Sequence, residues 1–334
     1  MTELHADTAE SRPGDPYYPW RQTLLSTERV RELSVLRPWR AVADTFKGWF
    51  GIGLGWALVA WRPGPLTVAL AVPLIGSSFY GLFILGHDGM HRRLFRNRRL
   101  NDLWNDVFCQ GPIGAITHIN NRNHLRHHQY LATGDDPDRH KHACFNKVEH
   151  GELLGFLSGI AGLVRTAANV FRPNQAARRR SEDETADGYT GRDVLLGLGV
   201  QAAIFAGLTA GIGWWAYPVL WLAPVYLFTY LADNFRSFAE HSQPHNDRAS
   251  DRHRMITYRS NPVERWFVAP NNMNYHAAHH LWPSIPYYNL PIADREMQGH
   301  PDAASLEWRG SYLGYLWRYW RAQPIEECRE PAAT

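Results

Sequence analysis

Charge is almost absent from two adjoining stretches of the chain. Residues 46–61 read FKGWFGIGLGWALVAW and residues 66–86 read LTVALAVPLIGSSFYGLFILG, separated only by Arg62, Pro63, Gly64 and Pro65. A helix apolar on every face needs lipid or a large protein shell around it. About 20 residues at about 1.5 Å each cross the roughly 30 Å hydrocarbon layer, so the pair predicts a membrane hairpin whose first arm is slightly short. A second pair is predicted at residues 194–213 and 214–232, broken near Gly211, Gly213 and Pro218. Residues 111–116 and 153–170 are also apolar, but they are too short or, at Arg165, too interrupted to span; they fit interfacial or re-entrant helices. Trp39, Trp49, Trp56, Trp61, Trp214, Trp215 and Trp221 lie in or beside the four stretches, where indoles favour the headgroup level or pack in a core.

The polar sequence orients these elements. Residues 87–192 hold Arg92, Arg93, Arg96, Arg98, Arg99 and the run Arg178, Arg179, Arg180, whereas the tight turns hold Arg62 alone. Positive charge stays inside, which predicts that this connection, both termini and the region after Asp233 face the cytoplasm. The first 40 residues carry four prolines and lack the basic start and apolar run of a signal peptide. The expected fold is an all-α integral membrane protein with four transmembrane helices and a cytoplasmic, histidine-rich helical cap. It divides into a polar N-terminal segment 1–44, a membrane-embedded domain 45–292 and a C-terminal tail 293–334. The run RRRSEDE at 178–184 reads as a solvated loop.

Composition adds three points. Lys+Arg 35 against Asp+Glu 32 gives +3, too small a surplus for a nucleic-acid partner without a basic stripe. Cys109, Cys144 and Cys328 have no CxxC spacing, so buried or idle thiols are expected rather than a disulfide framework or a thiolate zinc site. Histidine is abundant, at 17 residues, and nearly all of it lies between His87 and His280.

Within that region the spacing is regular. His87 and His91 in HDGMH are four apart, which places both rings on one helical face where the second span would leave the membrane. His124, His127 and His128 in HLRHH share one stripe, and His276, His279 and His280 in HAAHH repeat it. At a histidine frequency near one in twenty, HxxHH would arise by chance about 0.04 times in a chain of this length, so two copies are a specific signal. Eight imidazoles on facing helices are costly to bury unless a shared cation binds them, and eight exceed one tetrahedral or octahedral centre. Imidazole suits zinc, copper, iron and nickel alike. His241 in RSFAEHS would return to the same face and is the ninth expected ligand. Asp88, Asp135, Asp136, Asp138, Asp233 and Glu240 are candidates to orient the ring N–H groups. His5, His245, His253 and His300 are read as ordinary surface histidines, as are His118, His140, His142 and His150.

Taken together, HDGMH at 87–91, HLRHH at 124–128 with GDDPD at 134–138, RSFAEH at 236–241 and NYHAAHHLWPSIPYYNLP at 274–291 resemble the membrane fatty-acid desaturase superfamily. That superfamily includes hydroxylases, sphingolipid desaturases and carotenoid ketolases, and the resemblance runs from about Gly76 to Pro291. It implies a cytoplasmic histidine cap over four spanning helices that holds two iron ions and uses O2 against an unactivated C–H bond. Its histidine boxes carry over to His87, His91, His124, His127, His128, His276, His279 and His280, and its additional ligand to His241. Some relatives add an asparagine through water, for which Asn272 or Asn274 would serve. The third box departs at Ala278, where many relatives have glutamate, and at His276, where front-end desaturases have glutamine. No haem domain is expected within the polar tails. Electrons would come from a separate ferredoxin-like or haem carrier, for which the arginines offer a docking charge.

Desaturation of a lipid-linked acyl chain is therefore the expected reaction, with hydroxylation or ketolation of a lipid or carotenoid as the alternative on the same scaffold. A histidine-based metal transporter or sensor is the rival from another class. It calls for ionisable residues inside the spans and for low-complexity histidine tracts, whereas these spans are nearly uncharged and the histidines keep helical registers.

Overall fold

The computed structural model describes residues 18–131, 133, 135–145, 147–160, 190–242 and 255–328. The expected run 178–184, most of the stretch 153–170, and His5, His245 and His253 lie outside the described residues.

Helices α1 (Pro38–Trp61) and α2 (Pro65–Met90) form the hairpin, each opening on a proline whose missing N–H is no loss in a first turn. α1 begins well before its apolar run, so it is not the short arm expected. Gly48, Gly51 and Gly55 of α1 face Leu82, Ser78 and Ile75 of α2, and a β-carbon on any of the three would collide with that partner. Small residues at this spacing let two helix backbones approach closely.

α3 (Thr117–Tyr130) and α4 (His150–Leu157) follow in the long connection, and α5 (Gly191–Gly211) returns to the apolar layer. α5 starts on a capping box, Thr190 accepting the Asp193 N–H at 3.3 Å while Asp193 accepts the Thr190 N–H at 2.8 Å. The fourth apolar stretch is one continuous helical path over residues 218–241, designated α6. It passes through π turns at Pro218–Leu222 and Tyr226–Tyr230 before the regular helix Leu231–His241. Pro224 cannot donate to the carbonyl of Leu220, and that carbonyl instead accepts the indole N–H of Trp56 at 3.1 Å. Trp221 lies at the centre of the layer against Trp49, Trp56 and Phe79, and Gln201 of α5 accepts its indole N–H at 3.0 Å.

Among the described residues, α2 and α5 are long and apolar enough to cross a membrane. Glycine and tryptophan dilute α1, and α6 is divided into short π and α pieces.

Beyond the apolar layer lies a mostly helical cap that includes α3, α4, the last turns of α6, α7 (His276–Leu281) and α8 (Tyr312–Ala322). Two features depart from expectation. The all-α fold contains a parallel strand pair, Ile256–Tyr258 against Glu307–Arg309. Cys144 and Cys328 are not idle thiols but a disulfide with Cα atoms 5.3 Å apart; they are 184 residues apart in sequence, so no local spacing could announce the pair. Cys109 is a buried free thiol. The C-terminal residues are packed rather than tail-like: Met297 and Leu306 are buried in the cap core, and the Tyr319 hydroxyl donates to the carbonyl of Lys147 at 3.0 Å.

If the α1–α2 approach is set by small residues, Gly51→Val should overpack the hairpin and cost about 1–3 kcal/mol. Gly53→Val, whose β-carbon meets nothing within 4 Å, should be nearly neutral. Thermal unfolding of the two variants in detergent compares them directly.

Candidate metal centre

The residues that end α2 and begin α3 bring the first two histidine boxes face to face. Asn101 donates to the carbonyl of Gly89 at 2.8 Å and accepts the Leu94 N–H at 3.1 Å. Asn105 donates to the carbonyl of Gly86 at 3.1 Å and to the Thr117 hydroxyl at 2.9 Å. Asp106 caps the start of α3 by accepting the Thr117 N–H at 2.8 Å. At the end of α2, Arg92 takes a left-handed φ of 56°, which turns the chain sharply after His91. α6 delivers His241 and α7 delivers His276, His279 and His280 from the other side.

The ligand nitrogens of His87, His91, His124, His128 and His279 lie within 4.8 Å of one another, and those of His127, His241 and His280 form a second such group. His276 reaches the second group through its Nε2, 2.9 Å from Nε2 of His241. The groups adjoin, with the rings of His128 and His280 only 4.1 Å apart between centroids. All nine histidines expected at the site are therefore brought together. His118, His150 and His300 lie outside these groups, as expected of surface histidines. Asn272 donates to the carbonyl of Tyr287 at 3.3 Å, and Asn274 donates to that of Tyr258 at 2.9 Å.

The ring contacts fit a metal better than a hydrogen-bonded cluster. Nε2–Nε2 separations are 2.9 Å for His91–His124, 3.0 Å for His124–His128, 3.1 Å for His128–His279 and 3.2 Å for His127–His241. A neutral imidazole has one N–H, so Nε2 of His124 and of His128, each facing two other rings, cannot satisfy all its neighbours as a donor. About 3.0 Å is the edge of an octahedron with metal–nitrogen bonds of about 2.1 Å. Among the described residues, buried His280 has no hydrogen-bond partner at either ring nitrogen, a cost that a cation at one of them would remove. The donor set can hold two divalent ions.

Carboxylates orient some rings from outside, and the ones that do are a subset of those expected. Asp136 accepts from Nδ1 of His127 at 2.9 Å, and its other oxygen accepts from Nε2 of His142 at 2.9 Å. Burial alone would raise the Asp136 carboxyl, but the hydrogen bonds from His127 and His142 hold it well below the usual carboxylate range. Glu240 comes within 3.3 Å of Nδ1 of His276 and accepts the Tyr312 hydroxyl at 2.6 Å. Burial pushes the Glu240 carboxyl up to about 7, against the opposing pull of Arg236. Lys141 links Asp138 at 3.1 Å to Asp233 at 3.8 Å, one step away from the rings. Asp88 accepts the backbone N–H of Tyr287 at 2.8 Å, and Asp135 is exposed. His142 was read as an ordinary surface histidine. The structure buries it on Asp136, and its one sequence signal was its position six residues beyond that aspartate.

Burial, reinforced by neighbouring imidazoles, pushes His124, His128, His276, His279 and His280 well below the ordinary histidine value; burial pushes His91 to about 3. These rings stay neutral, which is the form that binds metal.

The chain belongs to the fatty acid desaturase family, whose model matches residues 61–312, and it is an oxidoreductase enzyme. It is 25% identical over 274 residues to an sn-1 oleoyl-lipid 12-desaturase of Arthrospira platensis, covering 75% of each chain. It is 26% identical to dihydrorhizobitoxine desaturase of Bradyrhizobium elkanii, covering 86% of this chain and 85% of that one. A beta-carotene ketolase of Paracoccus sp. is 27% identical over 63% of this chain and 72% of its own length.

Two outcomes follow for the site. Because the folded-state histidines sit below about 6.5, the unfolded chain takes up protons first as pH falls. Stability of the metal-free protein should hold above that value and fall below it, which thermal unfolding from pH 8 to about pH 5 measures. Asp136→Asn should weaken retention of added divalent ion about 10–100-fold, read by chelator competition, because the amide keeps one acceptor oxygen for two rings and loses the negative charge that holds them.

Proposed function

We propose that the nine histidines hold two iron ions and that the enzyme uses O2 and external electrons to introduce a double bond into a lipid-linked acyl chain. The observation that carries this reading is the pair of adjoining imidazole groups beside the ends of α2 and α6. His87, His91, His124, His128 and His279 would hold one ion, and His127, His241, His276 and His280 the other. Two irons so held supply oxygen activation strong enough to take hydrogen from an unactivated C–H bond.

The protein's own part is placement and protection. Asp136 fixes the tautomer of His127, so its Nε2 lone pair points inward, and the Glu240 carboxylate stands 3.3 Å from Nδ1 of His276. Ala277, Ala278, Leu281 and Trp282 are buried around α7 and keep bulk water from the rings. α6 runs without a break from the apolar layer to His241, so a lipid chain lying along it reaches the site without crossing water.

The membrane placement rests on the two long apolar helices and on rows of exposed apolar side chains. Phe46, Phe50 and Leu54 of α1 repeat at one-turn spacing, as do Leu66 and Leu70 of α2. In this reading α1, α2, α5 and α6 all span, within a membrane-embedded unit of residues 45–292. The arginine-rich connection puts the cap and both termini on the cytoplasmic side. A separate ferredoxin-like or haem carrier delivers the electrons there. Oxygen insertion is the second reading, favoured by the similarity to the Paracoccus ketolase.

Lipid mass profiles of cells with and without the gene test the proposal. Loss of two hydrogens from one acyl chain is expected, and His127→Ala should abolish it while the protein stays in the membrane fraction. Gain of oxygen would select the second reading, and normal activity of the variant would remove His127 from the ligand set.

A further inference from the structure

Helix α8 is apolar on two faces, and among the described residues one of them is packed inside the protein. Tyr312, Tyr315 and Tyr319 are buried against Phe235 and Phe238 of α6. On the outer side Leu313 is 59% exposed and Trp317 is 61% exposed, flanked by half-buried Leu316 and Trp320. Exposed Arg318 and Arg321 border this stripe, with the Arg321 guanidinium 6.0 Å from the Trp317 ring. The short helix Pro262–Phe267 is tied to the start of α8, because Glu264 accepts the Leu313 N–H at 3.0 Å and the Ser311 hydroxyl at 2.6 Å. It adds two more exposed apolar side chains, Val263 and Trp266.

The patch is continuous with the membrane helix beside it. A groove of about 550 Å³ joins the two, lined by Leu227, Leu231 and Phe235 of α6, Leu313 and Leu316 of α8, and Leu157. Leu227, at the upper end of the groove, is itself exposed. A run of leucine and tryptophan bordered by arginine is the composition of a helix lying in the headgroup–acyl boundary. A contiguous exposed surface of this kind in water would favour aggregation.

We propose that α8 and the Pro262–Phe267 helix form an interfacial anchor, their outer faces seated in the leaflet on the histidine side. A lipid chain fills the α6–α8 groove, and Arg318 and Arg321 meet lipid phosphate. The anchor rests on the membrane placement proposed above. It assigns a role to α8, nearly all of which lies beyond residue 312, where the family match ends.

Nitroxide labels on the full-length protein test this, with Trp317→Cys, Arg318→Cys and Leu198→Cys prepared separately in nanodiscs of phosphatidylcholine with and without phosphatidylglycerol. Relaxation by O2 reports lipid, and relaxation by a water-soluble nickel chelate reports solvent. The O2-to-nickel ratio at Trp317→Cys should be several-fold higher than at Arg318→Cys, and it should rise when phosphatidylglycerol is present. A solvent-like Trp317→Cys beside a lipid-like Leu198→Cys on α5 overturns the anchor and leaves the membrane placement standing. Solvent-like labels at both sites overturn both. A label at Trp317→Cys shielded from both reagents means that polypeptide covers the helix, which also overturns the anchor. An unchanged ratio without phosphatidylglycerol removes the role given to the arginines. If Trp317→Cys does not elute as the unaltered protein does, Leu313→Cys on the same stripe replaces it.

Discussion

Nine imidazoles crowded into one largely buried volume constrain the rest of the molecule. Burial and neighbouring imidazoles oppose the charged form of His124, His128, His276, His279 and His280, and each of the nine rings must present one nitrogen inward. Hydrogen bonds among the rings cannot meet that demand, since several Nε2 atoms face two others at about 3 Å. The arrangement calls for partners outside the cluster that hold ring orientation, and its convergent lone pairs could take a cation. The polar residues of the cap are placed to meet the first need.

Support of this kind is supplied in layers. Asn101, Asn105 and Asp106 use their side chains on backbone groups of α2 and α3, fixing the angle between the first two boxes rather than touching any ring. Asp136 acts directly on His127 through a hydrogen bond, and Glu240 lies 3.3 Å from the His276 ring. Behind Glu240 stands buried Arg236, which also pairs with Asp233 at 2.9 Å and donates to the Tyr80 hydroxyl at 3.2 Å. Tyr80 in turn donates to the carbonyl of Val268 at 3.0 Å, tying this charged group to α2 and to the segment before α7. A buried arginine is tolerable only because each face of its guanidinium has such a partner.

The C-terminal residues close the same structure. Tyr312 of α8 donates to Glu240, and the Cys144–Cys328 disulfide and the Tyr319–Lys147 hydrogen bond hold the end of the chain against the loop that follows His142. α8 therefore bears on the Glu240 side of the site while its other face points outward. α6 is the shared wall: its upper part packs Trp221 among the apolar helices, and its last turn presents His241.

Local sequence was sufficient for the elements whose physics is local. Unbroken apolar runs gave α2 and α5, and the i, i+3, i+4 spacing of HLRHH and HAAHH put each trio on one stripe by helix geometry alone. The residue types that could collect a metal were visible for the same reason, since a helix fixes relative ring positions over a single turn. Other features depended on distant parts of the chain. The path of α6 relies on Trp56 to satisfy a carbonyl that Pro224 leaves open. Asp136 became a bridge only when His142 folded back onto it, while Asp88, equally acidic and adjacent to His87, was taken by the backbone of Tyr287. Cys144 and Cys328 met across 184 residues, and Met297, Leu306 and Tyr319 packed as core. Periodicity specifies which side of a helix is apolar or ligating, but choosing among polar groups of equal chemistry requires knowing which of them are brought within hydrogen-bond reach, and tertiary packing alone decides that.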